Sequence, residues 1–188
     1  MLEPSLEPTI NSREIYRGSV VSLRVDEVRL PDGLETIREV VEHSDAVAVV
    51  AIDTNGNIVM VRQYRKAVER KLLEIPAGGV EEGEFPEEAA RRELQEETGY
   101  IAGSIEPLVR FYTSPGFCTE LMHVFLARKL SSGETKLDPD EIIQVVPIAL
   151  EDVLGMVKKA KSRTLRALHQ YYSHNISWSI LHDSGATI

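Results

Sequence analysis

The chain has 188 residues, 43% hydrophobic and 27% charged, with a net charge of −9. That length holds one domain with its own core and a little more, and the acidic balance argues against a general binder of nucleic acid or of a membrane surface, either of which needs a basic face. A single cysteine, Cys118, excludes an internal disulfide and fits a reducing, cytoplasmic setting.

Residues 1–12 are rich in proline and glutamate and are expected to be loose. They carry neither a basic segment nor an apolar run, so no signal peptide is expected. No apolar stretch approaches the roughly 20 residues of a membrane span. "VVSLRVDEVRL" (20–30) alternates apolar and polar positions and predicts a strand; "PDG" turns the chain and "TIREVVEH" (36–43) predicts a second. "AVAVVAI" (46–52) is continuously apolar, as a buried strand would be. Asn55-Gly56 is a strong hairpin signal, with "IVMVRQY" (58–64) as the returning strand. Over 86–98 the pattern becomes helical, with Pro86 suited to the first turn and Gly99 to the left-handed residue after the last. "LVRFYT" (108–113) and "LMHVFLARKL" (121–130) predict strands, and 150–172 predicts one broken helix or two short ones. The tail 173–188 is polar, with Trp178 and Ile180 as possible anchors. The sum is an α+β domain.

The segment 77–100, "AGGVEEGEFPEEAARRELQEETGY", gathers glutamates around two arginines. At about 100° per residue, Glu93, Glu96 and Glu97 fall within an arc of roughly 100° on the helix. Like charges so placed repel unless something positive sits among them. A solvated face is one reading, with Glu87–Arg91 and Glu88–Arg92 pairs contributing ~0.3–0.5 kcal/mol each. It does not account for Gly78, Gly79 and Gly83 just ahead of the helix. Such glycines let backbone approach a ligand closely, and an oxygen-rich cluster suits a hard cation, Mg²⁺ or Mn²⁺.

Gly78, Glu84, Arg92, Glu93, Leu94, Glu96, Glu97, Gly99 and Tyr100 stand at the spacing Gly-x5-Glu-x7-Arg-Glu-U-x-Glu-Glu-x-Gly-U, where U is bulky and apolar. This stretch resembles the Nudix box, with likeness to the family running over about 15–165. Tyr100 departs from the usual aliphatic residue and is expected to pack on the core side. The resemblance implies an α/β/α sandwich with a mixed β-sheet, and hydrolysis of a nucleoside diphosphate linked to another group. It makes Glu93, Glu96 and Glu97 metal ligands with the Ala77 carbonyl, Arg92 their orienting residue, and Glu84 a more distant partner. Divalent ions suit the reaction because a diphosphate repels a hydroxide nucleophile.

Outside the box, "SPGFCTE" (114–120) places Pro115 fifteen positions after Tyr100. This proline, "VRQYR" (61–65) and "LLEIPAG" (72–78) resemble the ADP-ribose pyrophosphatase subgroup; so does the acidic loop "LDPDEII" (137–143). In that subgroup the loop supplies a catalytic glutamate, aligned here with Glu141, Asp140 or a glutamate of the helix box being the alternatives. Arg62 and Arg65 are candidates for phosphate or ribose contacts, since a guanidinium fork suits such oxygens. Glu74 is a candidate for ribose hydroxyls, and Tyr16, Phe111, Tyr112 and Phe117 are candidates for stacking on adenine. His43, His123, His169, His174 and His182 show no metal-ligand spacing and read as structural or surface residues. The resemblance further implies that residues 1–42 form a strand-bearing extension for a twofold homodimer, ahead of a hydrolase domain over 43–172. The expected substrate is ADP-ribose, giving AMP and ribose 5-phosphate. Other sugar nucleotides such as GDP-mannose, dinucleotides, or a nucleotide-sensing role without catalysis are the rival readings.

Overall fold

The computed structural model describes residues 7–137, 139 and 141–158. The tail at 173–188, the second half of the predicted C-terminal helix, and Asp140 lie outside the described residues. The first three strands make an antiparallel sheet in the order β1 (Thr9–Arg17), β2 (Ser22–Arg29), β3 (Glu35–Glu42). β2 and β3 pair from Ser22↔Glu42 to Arg29↔Glu35 around the predicted turn, where Gly33 takes φ +88°. The looseness expected up to residue 12 ends earlier, because β1 begins at Thr9. All nine of its residues are exposed, so apolar periodicity carries no signal for it. Its order comes from the ladder to β2 and from the Ser12 hydroxyl donating to the buried Asp26 at 2.6 Å.

The remaining strands are β4 (Ala46–Ala51), β5 (Asn57–Arg65), β6 (Arg70–Glu74), β7 (Ala77–Gly79), β8 (Tyr100–Tyr112), β9 (Leu121–Ser132) and β10 (Ile143–Ala149). They form two sheets, β7-β4-β9-β8 and β10-β5-β6, with β4 and β9 parallel and the other pairs antiparallel. The Asn55-Gly56 turn forms, with the Asp53 carboxylate accepting from the Asn55 and Asn57 amides at 2.8 Å. It does not close a hairpin sheet: β4 and β5 part after the single bridge Ile52↔Ile58, and each takes its neighbours from a different sheet.

Helices cover both faces. Val47, Val49, Ala51 and Val59 pack against Ala89, Ala90 and Leu94 of α1 (Pro86–Thr98). Ala48, Val50, Ile58 and Met60 face Leu150 and Val153 of α2 (Leu150–Lys158). A strand enclosed on both faces needs apolar residues at every position, which is why "AVAVVA" does not alternate. The architecture is the expected α+β sandwich with a mixed sheet. Tyr100 packs against the α1-side core, as its place in the motif requires. Helix α1 opens with Pro86 in its first turn and the Phe85 amide donating to Glu88 at 3.2 Å, and it closes at Gly99, φ +72°. Among the described residues no helix is long and apolar enough to cross a membrane.

Leu94 is fully buried and locks α1 onto β4 and β9. Leu94→Ala is expected to lower stability in urea unfolding by about 2–5 kcal/mol; a loss below about 1 kcal/mol would show that α1 is not anchored there.

Candidate active site

The site is built where α1 lies over β7. β7 follows β6 after a short link, pairs with β4 at Ala77↔Ala48, Gly78↔Val47 and Ala46↔Gly79, and hands the chain to the loop before α1. Any side chain at position 78 would collide with the Glu93 carboxylate. Glycine there lets the carboxylate rest against backbone, and a side chain would displace the carboxylate from that place.

Arg92 is the hub. Its Nε and Nη2 donate to the two oxygens of Glu84, each at 3.0 Å, and Nη1 donates to Glu93 at 2.8 Å and to Glu96 at 3.1 Å. Nη2 also donates to the Gly79 carbonyl at 2.9 Å. Those contacts engage all five guanidinium hydrogens, a fork that lysine cannot copy. The Arg92 bonds hold the Glu84 carboxyl below the usual carboxylate range. Burial pushes Glu93 the other way, opposed by Arg92.

Glu97 is only 4% exposed and turns to the Ala77 amide, which donates to it at 3.2 Å. Ala77 thus meets the cluster through its N–H. Burial pushes the Glu97 carboxyl up to about 8, with the charges of Glu93 and Glu141 adding to the shift and Arg65 opposing it. Glu141 therefore stands where its charge bears on both Glu93 and Glu97. Among the described residues no set of three or more acidic, histidine or cysteine side chains is already gathered in ion-holding geometry. Arg92 and the Ala77 amide occupy one oxygen each of Glu93, Glu96 and Glu97 and leave the other available. Crowded, partly buried carboxylate oxygens form a donor set that fits a hard divalent cation.

The substrate candidates divide by strand geometry. β5 sends Val59 towards α1 and Met60 towards α2, and its ladders run without a bulge through Arg65. Arg65 therefore shares the α1 face, and Arg62 takes the opposite one. Arg65 Nε donates to Glu74 at 2.9 Å, and Arg62 pairs with Gln144 at 3.3 Å. Counting by two from the buried valines would have separated the arginines in the sequence. Pro115 is exposed in the 113–120 loop, whose backbone is tied to β3 through Val41–Phe117 and Val41–Thr119 bonds. Of the aromatic candidates, Tyr16, Tyr112 and Phe117 are exposed, and Phe111 packs into the α2-side core. Sequence reasoning passed over Gln63, on the α1 face between Val61 and Arg65. Its Oε1 is buried without a hydrogen-bond partner among the described residues. A single glutamine inside a strand carries no signal that would have marked it.

The Glu97 shift fixes a pH dependence. A carboxyl held near 8 in the fold and near 4.5 when unfolded stabilises the folded state fully below about 4.5. That contribution is lost as pH rises through about 8. Metal-free protein is expected to lose stability to urea across that range, and Glu97→Gln to flatten the slope. Parallel wild-type and variant profiles would refute the assignment.

Comparison with known proteins bears on this geometry. A NUDIX domain model matches residues 42–170, and a model of the nucleoside diphosphate sugar hydrolase N-terminal domain matches residues 7–41. An ADP-ribose pyrophosphatase of Bacillus subtilis is 50% identical over 154 residues, covering 81% of this chain and 83% of that protein. A methanol dehydrogenase activator of Bacillus methanolicus is 46% identical over 157 residues, covering 82% and 85%. The crystal structure of an ADP compounds hydrolase superposes with a TM-score of 0.77 over 92% of this chain and 97% of that one, at 20% identity, and shares the fold. With its box intact and a domain model spanning most of its length, the chain belongs to the Nudix family of hydrolases.

Proposed function

We propose that the chain hydrolyses the diphosphate linkage of ADP-ribose, or of a closely related nucleoside diphosphate sugar, to AMP and a sugar phosphate. The observation that carries this reading is the Arg92-centred cluster, in which Glu84, Glu93 and Glu96 are fixed and Glu97 and Glu141 stand beside them. The likeness to the Bacillus subtilis ADP-ribose pyrophosphatase supports the choice of sugar nucleotide.

Glu93, Glu96 and Glu97, with Ala77, would hold Mg²⁺ or Mn²⁺. When bound, these ions supply charge neutralisation for the diphosphate and lower the pKa of the attacking water. Arg92 keeps the glutamates in place, and Glu141 takes the proton from that water as it attacks phosphorus. Arg65 meets the anionic substrate on the α1 face, and Glu74, held by Arg65, accepts from ribose hydroxyls. Arg62 and Pro115 serve the substrate from outside this cluster, in the subgroup's manner. The substrate is a small molecule; nucleic acid and membrane are not partners, and the working place is the cytoplasm. Residues 1–42 are read as the dimerisation extension, 43–172 as the hydrolase domain and 173–188 as a tail. The fully exposed β1, with Ile10 and Ile15 open to solvent, suits a surface that a second copy covers.

The deciding assay is product release from ADP-ribose, ADP-glucose, GDP-mannose, a diadenosine polyphosphate and NADH, with Mg²⁺ or Mn²⁺ and a chelator control. Chelator-sensitive AMP formation, greatest with ADP-ribose, is the expected outcome; no hydrolysis by a folded, metal-binding protein would favour nucleotide sensing. Glu97→Gln removes a ligand charge and keeps the shape, so turnover is expected to fall by orders of magnitude with the circular dichroism unchanged. Near-normal turnover would sink the site assignment. Sedimentation velocity is expected to show twice the chain mass, and a monomer at micromolar concentration would dispose of the dimer.

A further inference from the structure

We propose that His123 and Asp45 form a positioning pair that holds the metal-binding loop against the sheet. The proposal rests on the reading that this loop and α1 bind a divalent ion. His123 lies in β9, in the row that crosses the sheet from Gly78 through Val47 to His123. Its Nε2 is 3.0 Å from Asp45 Oδ2. A carboxylate only accepts, so Nε2 carries the proton and donates.

Asp45 immediately precedes β4 and works at both ends. Its side chain is bound to β9, and its backbone carbonyl accepts the Val80 amide at 2.9 Å. Val80 directly follows Gly79, whose carbonyl accepts from Arg92. Arg92 in turn grips Glu84, Glu93 and Glu96. The continuous run is His123, Asp45, the Gly79–Val80 backbone, Arg92 and the glutamates. Among the described residues His123 is the hydrogen-bond partner of the Asp45 carboxylate, and without it the loop end that seats Arg92 is held less firmly. Partners one step removed from metal ligands set ligand orientation, and their loss typically weakens metal binding by about tenfold or more; Arg92 holds that place here, and His123 and Asp45 act through it. A histidine paired with a half-exposed aspartate reads as a surface ion pair unless the carbonyl of the same aspartate is traced to the loop.

The test is a calorimetric titration of the full chain with Mn²⁺ alone. His123→Leu removes the donor, and Asp45→Ala, at the half-exposed position, removes the acceptor without touching the sheet interior. Each is expected to weaken Mn²⁺ binding about tenfold. His123→Gln carries its amide nitrogen near the place of Nε2 and is expected to restore affinity to within about threefold of wild type. The double variant is expected to be no weaker than either single one, as for residues acting through one link. Unchanged Mn²⁺ affinity in both single variants, with only the melting temperature lowered, would overturn the proposal; so would His123→Gln no better than His123→Leu. A wild type that binds Mn²⁺ but releases no product from any nucleotide would fault the proposed function and not this pair, because the readout is ion binding and not turnover.

Discussion

The Arg92 guanidinium is the interaction on which the site depends. Four oxygens of three carboxylates and one backbone carbonyl converge on a single flat cation whose five hydrogens are all engaged. Removing any acceptor frees a donor in a partly buried place, and removing Arg92 leaves carboxylates facing one another across a few ångströms, so the arrangement stands or falls as a unit. Yet one positive charge against Glu84, Glu93 and Glu96 leaves two negative charges unanswered, and Glu97 is buried beside them. The protein alone does not neutralise its own site. That imbalance is the physical argument for the dication proposed there, which would also stabilise the charged form of Glu97 that burial makes costly.

The enclosing fold follows from having apolar faces on both sides of the sheet. α1 seals one face through Ala89, Ala90 and Leu94, small and large residues alternating so that the helix sits close. That closeness brings the Glu93 carboxylate down to the β7 backbone. α2 seals the other face, where Arg62 emerges, remote from the glutamates. Which surface a residue serves is thus decided by the parity of its strand position before any chemistry is considered.

Much of this was legible in the sequence. The box spacing located the helix, its caps and the acidic cluster, since helix geometry is local and its Pro86 and Gly99 boundaries are strong signals. The continuous apolar run of β4 announced enclosure on both faces. Less legible were elements whose order comes from distant partners: the exposed β1, the short β6 and β7, and β10, which exists by pairing with β5. The Asn55-Gly56 signal predicted a hairpin; the turn forms, but long-range pairing sends β4 and β5 into different sheets. His123 shows the same limit: its role depends on a contact 78 residues away.

Gly78 has one more consequence. Because the Glu93 carboxylate lies against the Gly78 backbone, it takes its place only when α1 is docked on β7. Assembly of the proposed metal site would then coincide with docking of the helix in folding. An ion that binds only the docked arrangement becomes a ligand of the native state, and its concentration sets the population of folded protein by mass action. The ion proposed for catalysis would then serve as a folding effector as well, and divalent-ion supply and protein survival would become linked quantities.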